Sequence, residues 1–498
     1  MKNEKQAHCI AILGTCSDAG KSLTAAAICR ILSDLGMRVA PFKTQNMSNN
    51  SFVTSEGGEI GRAQVVQAEC ARVEPTVDMN PVLLKPAGGS ASQIIIRGKA
   101  EGNITSREFR NDRTLLFERA MESLDRLRSM NEVVVIEGAG SCAELNLNQY
   151  DIANFRTALY ANANVILVAD IERGGVFAQI IGTLNLLNAE ERASVKGILI
   201  NRFRGDISLF DEGVKIIEEK TGIPVLGVIP YDDGLNIDAE DTLSLTRKKG
   251  PIELLIEEAV NIAVLRLPHI SNFTDFHPLE TEEKVNVSYL TKPVPLDGLD
   301  LFIIPGSKNV RSDLLWIRES GWEQAILSYA ERGGKILGIC GGYQMLGNEI
   351  TDSDGVEGAA GNAKGLGLLN VNTVMKTSKK LARVKGISLV DGSKVEGYEI
   401  HMGVTERAEE VKPFLKLDEN VDGANSGNVF GCYLHGIFDS PQFMSSFLSL
   451  NESHQNSFNS EKQNKYDRLA ALYKDNMDME AVMEIAGLGK MMEAENAS

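Results

Sequence analysis

"IAILGTCSDAGKSLTAAAICRIL", residues 10–32, joins an apolar run to a glycine loop and then to a helical pattern. Apolar residues recur at Leu23, Ala27, Ile28, Ile31, Leu32 and Leu35, the spacing of one helix face, and Gly36 stands where such a helix would stop. The order is therefore strand, loop, helix. In that setting the backbone of Gly14, Thr15, Asp18, Ala19 and Gly20 forms a cradle whose N–H groups face an anion. Lys21 can reach terminal phosphates, and the Ser22 hydroxyl can ligate Mg²⁺. The usual phosphate loop has four residues between its glycines, whereas five separate Gly14 from Gly20 here. An ordinary glycine turn between strand and helix is the plain alternative. The lysine and serine at the helix start argue against it.

Further β-branched runs lie at residues 133–136, 165–168, 197–200 and 225–229, with helical patterns between them. A second series follows at 262–265, 301–304, 335–339 and 429–434. This alternation predicts an α/β protein of two doubly wound domains, with ligands at the carboxyl ends of parallel strands. At 498 residues the chain exceeds what one core supports. The polar stretch "DTLSLTRKKG" puts the boundary near residue 250. The expected units are 1–250, 251–445 and a tail, 446–498, in which a polar linker from Asn451 leads to a packing helix over Leu469–Ile485. The formal charge of −17 disfavours nucleic acid or an anionic membrane as partner. No apolar run approaches the roughly 18 residues of a membrane span, and a cytoplasmic location is expected. The cysteines at 9, 16, 29, 70, 142, 340 and 432 form no C-x-x-C pair, so most are expected to be small core residues.

Cys340 is the exception. "KILGICGGYQMLG", residues 335–347, runs from a strand through Cys340 into Gly341-Gly342 and an apolar helix. A thiol on so tight a turn is exposed at the sheet edge beside helix N–H groups, Gly341 first, that lower its pKa and hold an oxyanion. A thiolate nucleophile needs a general base. "NVFGCYLHGIFDS" supplies His435 at the end of another apolar strand.

These stretches carry resemblances. The lengthened loop is similar to that of the dethiobiotin-synthetase-like ATPases, a P-loop NTPase-type fold. That likeness implies ATP bound at the loop, Glu137 of "VVVIEGAGS" completing a Mg²⁺ shell with Ser22, and Asn201 of "GILINRFRGD" reading the adenine edge. "PFKTQNMSNNS" and "GGEIGRAQ" offer Lys43, Gln45, Asn46, Glu59 and Arg62 to a substrate carboxylate. The Cys340–His435 pair resembles the class I glutamine amidotransferases, of flavodoxin-like fold. In that family Gly306 of "FIIPGSKN" would supply a second oxyanion amide. The common branch has a Glu two residues after the His, where this chain has Ile437. The cobyric acid and cobyrinic diamide synthases share that departure. Asp439 and Glu399 are then candidates to orient the His, and His401 is expected to be a structural strand residue.

Taken together, residues 8–442 resemble the cobyric acid synthase family. The resemblance implies an ATP- and Mg²⁺-dependent ligase that takes ammonia from glutamine. It would amidate the b, d, e and g carboxylates of a corrinoid, adenosylcobyrinic acid a,c-diamide. The a,c-diamide synthase is the nearest rival. A partitioning-type P-loop ATPase would explain the loop, but not Cys340 with His435.

Overall fold

The computed structural model describes residues 6–86, 91–232, 234–235, 237, 255–450 and 458–489; the boundary expected near 250 lies outside them. Alternate residues of the first strands enter two different cores. Ala11, Leu13, Val134, Ile136 and Leu167 pack on one side, while Ile10, Ile12, Val133, Val135 and Ile166 pack on the other. A strand buried on both faces needs helices on both faces, which is the doubly wound arrangement. The six parallel strands run in the order Val225–Pro230, Val195–Phe203, Asn164–Asp170, His8–Gly14, Val133–Glu137, Val39–Phe42. Gly14 therefore ends a central strand, with Glu137 and Asp170 at the ends of its two neighbours.

A second sheet places Val285–Leu290, Val260–Leu265, Leu301–Ile304, Ile336–Ile339 and Val429–Cys432 in parallel, with Ala424–Ser426 antiparallel at its edge. Cys340 follows its fourth strand in this order, and His435 lies just beyond its fifth.

Antiparallel elements not expected from apolar runs are added to both halves. Val371–Ser388 pairs with Lys394–Arg407 as a long ribbon, and Val82–Pro86, Ala91–Ile96 and Lys99–Thr105 form a meander. The ribbon strand Val371–Ser388 mixes buried Val371, Thr373 and Met375 with exposed lysines, so it never presents a continuous apolar run.

The tail departs from expectation. From Phe458 the polar stretch read as a linker is helical, and the expected single helix is two, Phe458–Asp475 and Met479–Ile485. Both return to the first half. Tyr466, Leu469, Ala470 and Tyr473 are buried in the core that contains Ile28 and Leu32. Arg30 Nε donates to Asp467 (3.0 Å), and Tyr473 and Thr24 share a hydroxyl hydrogen bond (3.1 Å).

The halves meet where Val53 packs with Tyr398 and Ile400, and where Arg383 Nε donates to the Val53 carbonyl (2.9 Å). Beside that contact, Asn50 Oδ1 accepts from Phe273 N and Asn272 Oδ1 accepts from Ser51 N, each at 3.1 Å.

Candidate active site

At the first sheet, Gly20 (φ 98°) and Asp18 (φ 58°) both adopt left-handed backbone, which folds the loop over the helix Lys21–Asp34. Lys21 reaches back across Gly14: a Cβ there would stand 3.0 Å from Lys21 Cδ and 3.1 Å from the Cys16 carbonyl oxygen, a tight fit on both sides. Lys21 Nζ donates to the carbonyls of Cys16 (3.0 Å) and Gly140 (2.8 Å). Ser22 Oγ donates to Glu137 Oε1 at 2.7 Å.

Glu137 is fully buried. Lys43 Nζ pairs with Oε1 at 2.9 Å, and Gln67 Nε2 and Gln64 Nε2 donate to Oε2 at 2.6 and 3.3 Å. Burial pushes this carboxyl up, but the Lys43 ammonium and the hydrogen bonds from Ser22, Lys43 and Gln67 outweigh it and hold it below the usual range. A hydroxyl and a carboxylate are hard oxygen donors suited to Mg²⁺, which commonly takes its remaining ligands from phosphate and water. Among the described residues no three His, Cys, Asp or Glu side chains group to hold a metal unaided. Ser22 and Glu137 thus fit an ion that arrives with a nucleotide.

Lys43 and Asn201 both make buried contacts with the protein itself. Lys43, expected to meet a substrate carboxylate, is buried against Glu137 beside Ser22, because its strand Val39–Phe42 lies beside that of Glu137. Asn201, expected at an adenine edge, lies under the loop: Nδ2 donates to the Ala19 carbonyl (2.9 Å) and Oδ1 accepts from Arg202 N (2.9 Å). A Cβ on Gly20 would come within 1.8 Å of that amide, so Asn201 and Gly20 fix one another. Arg202 completes the support, pairing with Asp18 (2.8 Å) and Asp170 (3.0 Å). Gln45 is half-buried, and buried Asn46 donates to Gln64 Oε1 at 2.8 Å.

At the second sheet, Cys340 holds φ 51° and ψ −106°, a strained backbone for a residue with a Cβ. Its amide is anchored on the Cys432 carbonyl (2.8 Å). The thiol lines one cavity with His435, Gly341 and Ser307. A Cβ on Gly341 would lie 2.8 Å from Ser307 N, closer than side chains come, and one on Gly306 would lie 3.3 Å from His435 Cε1, a tight contact. Asp313, fully buried, steadies this loop by accepting from Ser307 Oγ (2.6 Å) and pairing with His269 (2.7 Å).

His435 is oriented by neither expected carboxylate. Its Nδ1 meets Asp275 Oδ2 at 2.6 Å, and Asp275 Oδ1 accepts from Gly436 N at 3.1 Å. The reason is strand alternation. Tyr398 is in register with His435 and stacks on its ring, so its neighbour Glu399, in register with Leu434, falls on the opposite face. There Glu399 binds Lys380 and stands 3.6 Å from His401 Nε2. Asp439 lies one short turn beyond Gly436, lining a separate groove with Lys394 and Lys416. His401, expected to be structural, stacks on Tyr433 and also lines the Cys340 cavity.

Burial by itself depresses the His435 imidazole, but Asp275 and Cys340 act in the opposite sense and raise it to about 10. The Asp275 carboxylate thus favours the protonated form of this imidazole. By contrast, burial pushes Cys9 up to about 11 and Cys142 to about 12, as befits core thiols.

Comparison with known proteins now adds identity to geometry. Residues 10–245 match the family model for the CobQ/CobB/MinD/ParA nucleotide binding domain, and 261–443 match the CobB/CobQ-like glutamine amidotransferase domain. Curated relatives named cobyric acid synthase align over nearly the whole chain. The protein of Pelodictyon phaeoclathratiforme is 50% identical over 97% of this chain and 99% of its own. That of Chlorobium phaeobacteroides is 50% identical with the same coverage, and that of Chlorobaculum tepidum is 49% identical over 98% and 99%.

Proposed function

The chain belongs to the cobyric acid synthase family, and from that premise we propose that it is an ATP-dependent amide ligase of cobalamin biosynthesis. It takes nitrogen from glutamine and amidates the b, d, e and g carboxylates of adenosylcobyrinic acid a,c-diamide. One observation carries this reading: a nucleophile pocket and a phosphate cradle occupy one chain, and the pocket reaches the other half at Lys85.

In the second half the Cys340 thiolate attacks the carboxamide carbon of glutamine. The carbonyl oxygen takes the negative charge and is met by the Gly341 amide with a partner from Gly306–Ser307. His435, held by Asp275, gives its proton to the departing nitrogen, leaving a thioester and NH₃. It then takes a proton from the water that releases glutamate and restores the thiol.

In the first half an acceptor carboxylate oxygen attacks the γ-phosphorus of ATP, giving an acyl phosphate and ADP. Ammonia then attacks the acyl carbon, and phosphate leaves. The protein's part is alignment and charge neutralisation, by Lys21, the Gly14–Ser22 amides and Lys43. Ser22 and Glu137 would hold Mg²⁺, which when bound neutralises charge on the phosphates.

Incubating the protein with ATP, glutamine and the diamide, and weighing the product, tests the proposal. Successive replacement of OH by NH₂ at each of the four carboxyls supports it; glutamate released with unchanged corrinoid refutes it.

A further inference from the structure

The stretch "DIERGGVFA", residues 170–178, follows the strand Asn164–Asp170 and takes no part in the steps above. Sheet order gives it a place. The Gly14 strand lies between the strand of Glu137 and the strand of Asp170, and Lys43 stands with Glu137 on one side of it. On the other side the residues after Asp170 pass along the phosphate loop.

Two contacts fasten this stretch to the loop. Asp170 pairs with Arg202 (3.0 Å), which also holds Asp18 of the loop (2.8 Å). Gln179 Oε1, in the first turn of the helix Val176–Leu186, accepts from Thr15 Oγ1 at 3.2 Å. Between these anchors residues 172–175 are exposed. Gly174 (φ 76°) and Gly175 (φ 77°) take left-handed backbone, and no atom lies within 4 Å of where a Cβ would stand on either. Backbone conformation, rather than want of space, is what calls for glycine here, and the turn is open on its outer side. The cation it carries is Arg173.

The neighbouring arginines are committed elsewhere. Arg202 is held between two carboxylates with 15% of its side chain exposed, and Arg204 donates to Glu172 (3.1 Å) and lies 3.5 Å above the Tyr231 ring centroid. Arg173 is 63% exposed, and its side chain's one polar contact among the described residues is Asp18 Oδ2 at 3.5 Å. Arg202 already donates to that carboxylate at 2.8 and 3.2 Å, so the loop does not depend on Arg173. An exposed pair at such a distance contributes little. The guanidinium, whose planar fork of donors matches phosphate oxygens, can leave it at small cost.

Resting on the ligase reading, we propose that Arg173 is a catalytic residue of phosphoryl transfer, its guanidinium meeting the oxygens of the γ-phosphoryl as the acceptor carboxylate attacks. The bond that forms joins carboxylate oxygen to phosphorus, the bridging P–O bond to ADP breaks, and no proton moves. Charge on the transferring group is spread over its outer oxygens and has to be met from more than one direction. Lys21 and the loop amides meet it from the Gly14 strand, and Arg173 from the Asp170 side. A cation that meets the group in flight more closely than in ATP raises turnover without tightening nucleotide binding.

The test compares wild type, Arg173→Ala and Arg173→Lys as full-length enzyme with Mg²⁺, supplying ammonium so that glutamine hydrolysis plays no part. Arg173→Ala should lower kcat for amidation by about 10³-fold, with KM for ATP and for the corrinoid diamide little changed. Arg173→Lys, which keeps the charge without the fork, should recover part of the loss. A second readout needs no turnover. ADP with aluminium fluoride, a mimic of the phosphoryl in flight, should bind the wild type with the diamide present more tightly than ADP alone does. Arg173→Ala should lose that difference while binding ADP as before. A raised KM for the diamide at unchanged kcat overturns the proposal and makes Arg173 an anchor for acceptor carboxylates. Unchanged turnover with an undiminished fluoride effect overturns it too, leaving Arg173 a surface residue. A wild type that makes amide from neither nitrogen donor overturns the ligase reading instead.

Discussion

Asp275 and His435 lie 160 residues apart in the chain, and their side chains meet at 2.6 Å in the interior. The acid sits on the short turn Phe273–Phe276, outside the strand that presents the histidine, and fills the place of the carboxylate missing at Ile437. Asp275→Asn should keep the fold and lower glutamine hydrolysis by on the order of 10² to 10⁴-fold, the range seen when a triad acid loses its charge. Glutamate release reports the loss, and ammonium-supported amidation should persist. Near-wild-type hydrolysis would remove Asp275 from the machinery.

The same pair fixes a pH dependence. Because His435 is raised from 6.5 to about 10, its contribution to folding is complete below about 6.5 and is lost as pH rises through about 10. Without the Asp275 charge that window shifts to lower pH. The alkaline limb of glutaminase activity in Asp275→Asn should therefore fall at lower pH than in the wild type. Superimposable limbs would argue against the assignment.

The turn carrying Asp275 is clamped from the other half, by Asn50 on Phe273 N and by Ser51 N on Asn272. Asn50→Ala leaves a buried amide unsatisfied, at a cost of about 1–3 kcal/mol. Although Asn50 lies in the ATP-binding half, its loss should slow glutamate release more than it slows ammonium-supported amidation. Equal effects on both would show that the clamp does not steer His435.

Tyr473 ties the returning tail to the first turn of the phosphate-loop helix through Thr24. Tyr473→Ala empties a fully buried site and should destabilise the first half by about 3–5 kcal/mol. Denaturant unfolding followed separately by ATP binding and by glutaminase activity should show the ATP site lost first. Coincident loss would mean that the tail supports both halves alike.

Glu137→Gln removes the carboxylate proposed to hold Mg²⁺ and the charge that faces the buried Lys43 ammonium. Amide formation should fail with either nitrogen donor while glutamate release continues. Persistent amidation at ordinary Mg²⁺ would dismiss Glu137 as a ligand.

The parallel strands were legible because doubly buried strands are written as unbroken β-branched runs, and the two glycine turns because each follows such a run. Partners set by topology were not legible. Nothing in "NFTDFHP" signals that Asp275 comes to lie under His435. Lys43 looks like a polar-loop cation until its strand is placed beside that of Glu137. Asn201 was read by likeness to other proteins, yet its contact with Ala19 follows from where its strand ends. The helix beginning at Phe458 was hidden because its first turns are polar and its buried residues, Tyr466 to Tyr473, come late.

The central claim is that one thiol supplies nitrogen to a carboxyl activated elsewhere in the same chain, and Cys340→Ala tests it most directly. With ATP and the corrinoid diamide, the folded variant should make no amide from glutamine and should make it at near-wild-type rate from high ammonium. Amide still formed from glutamine, or lost from both donors, would contradict the account.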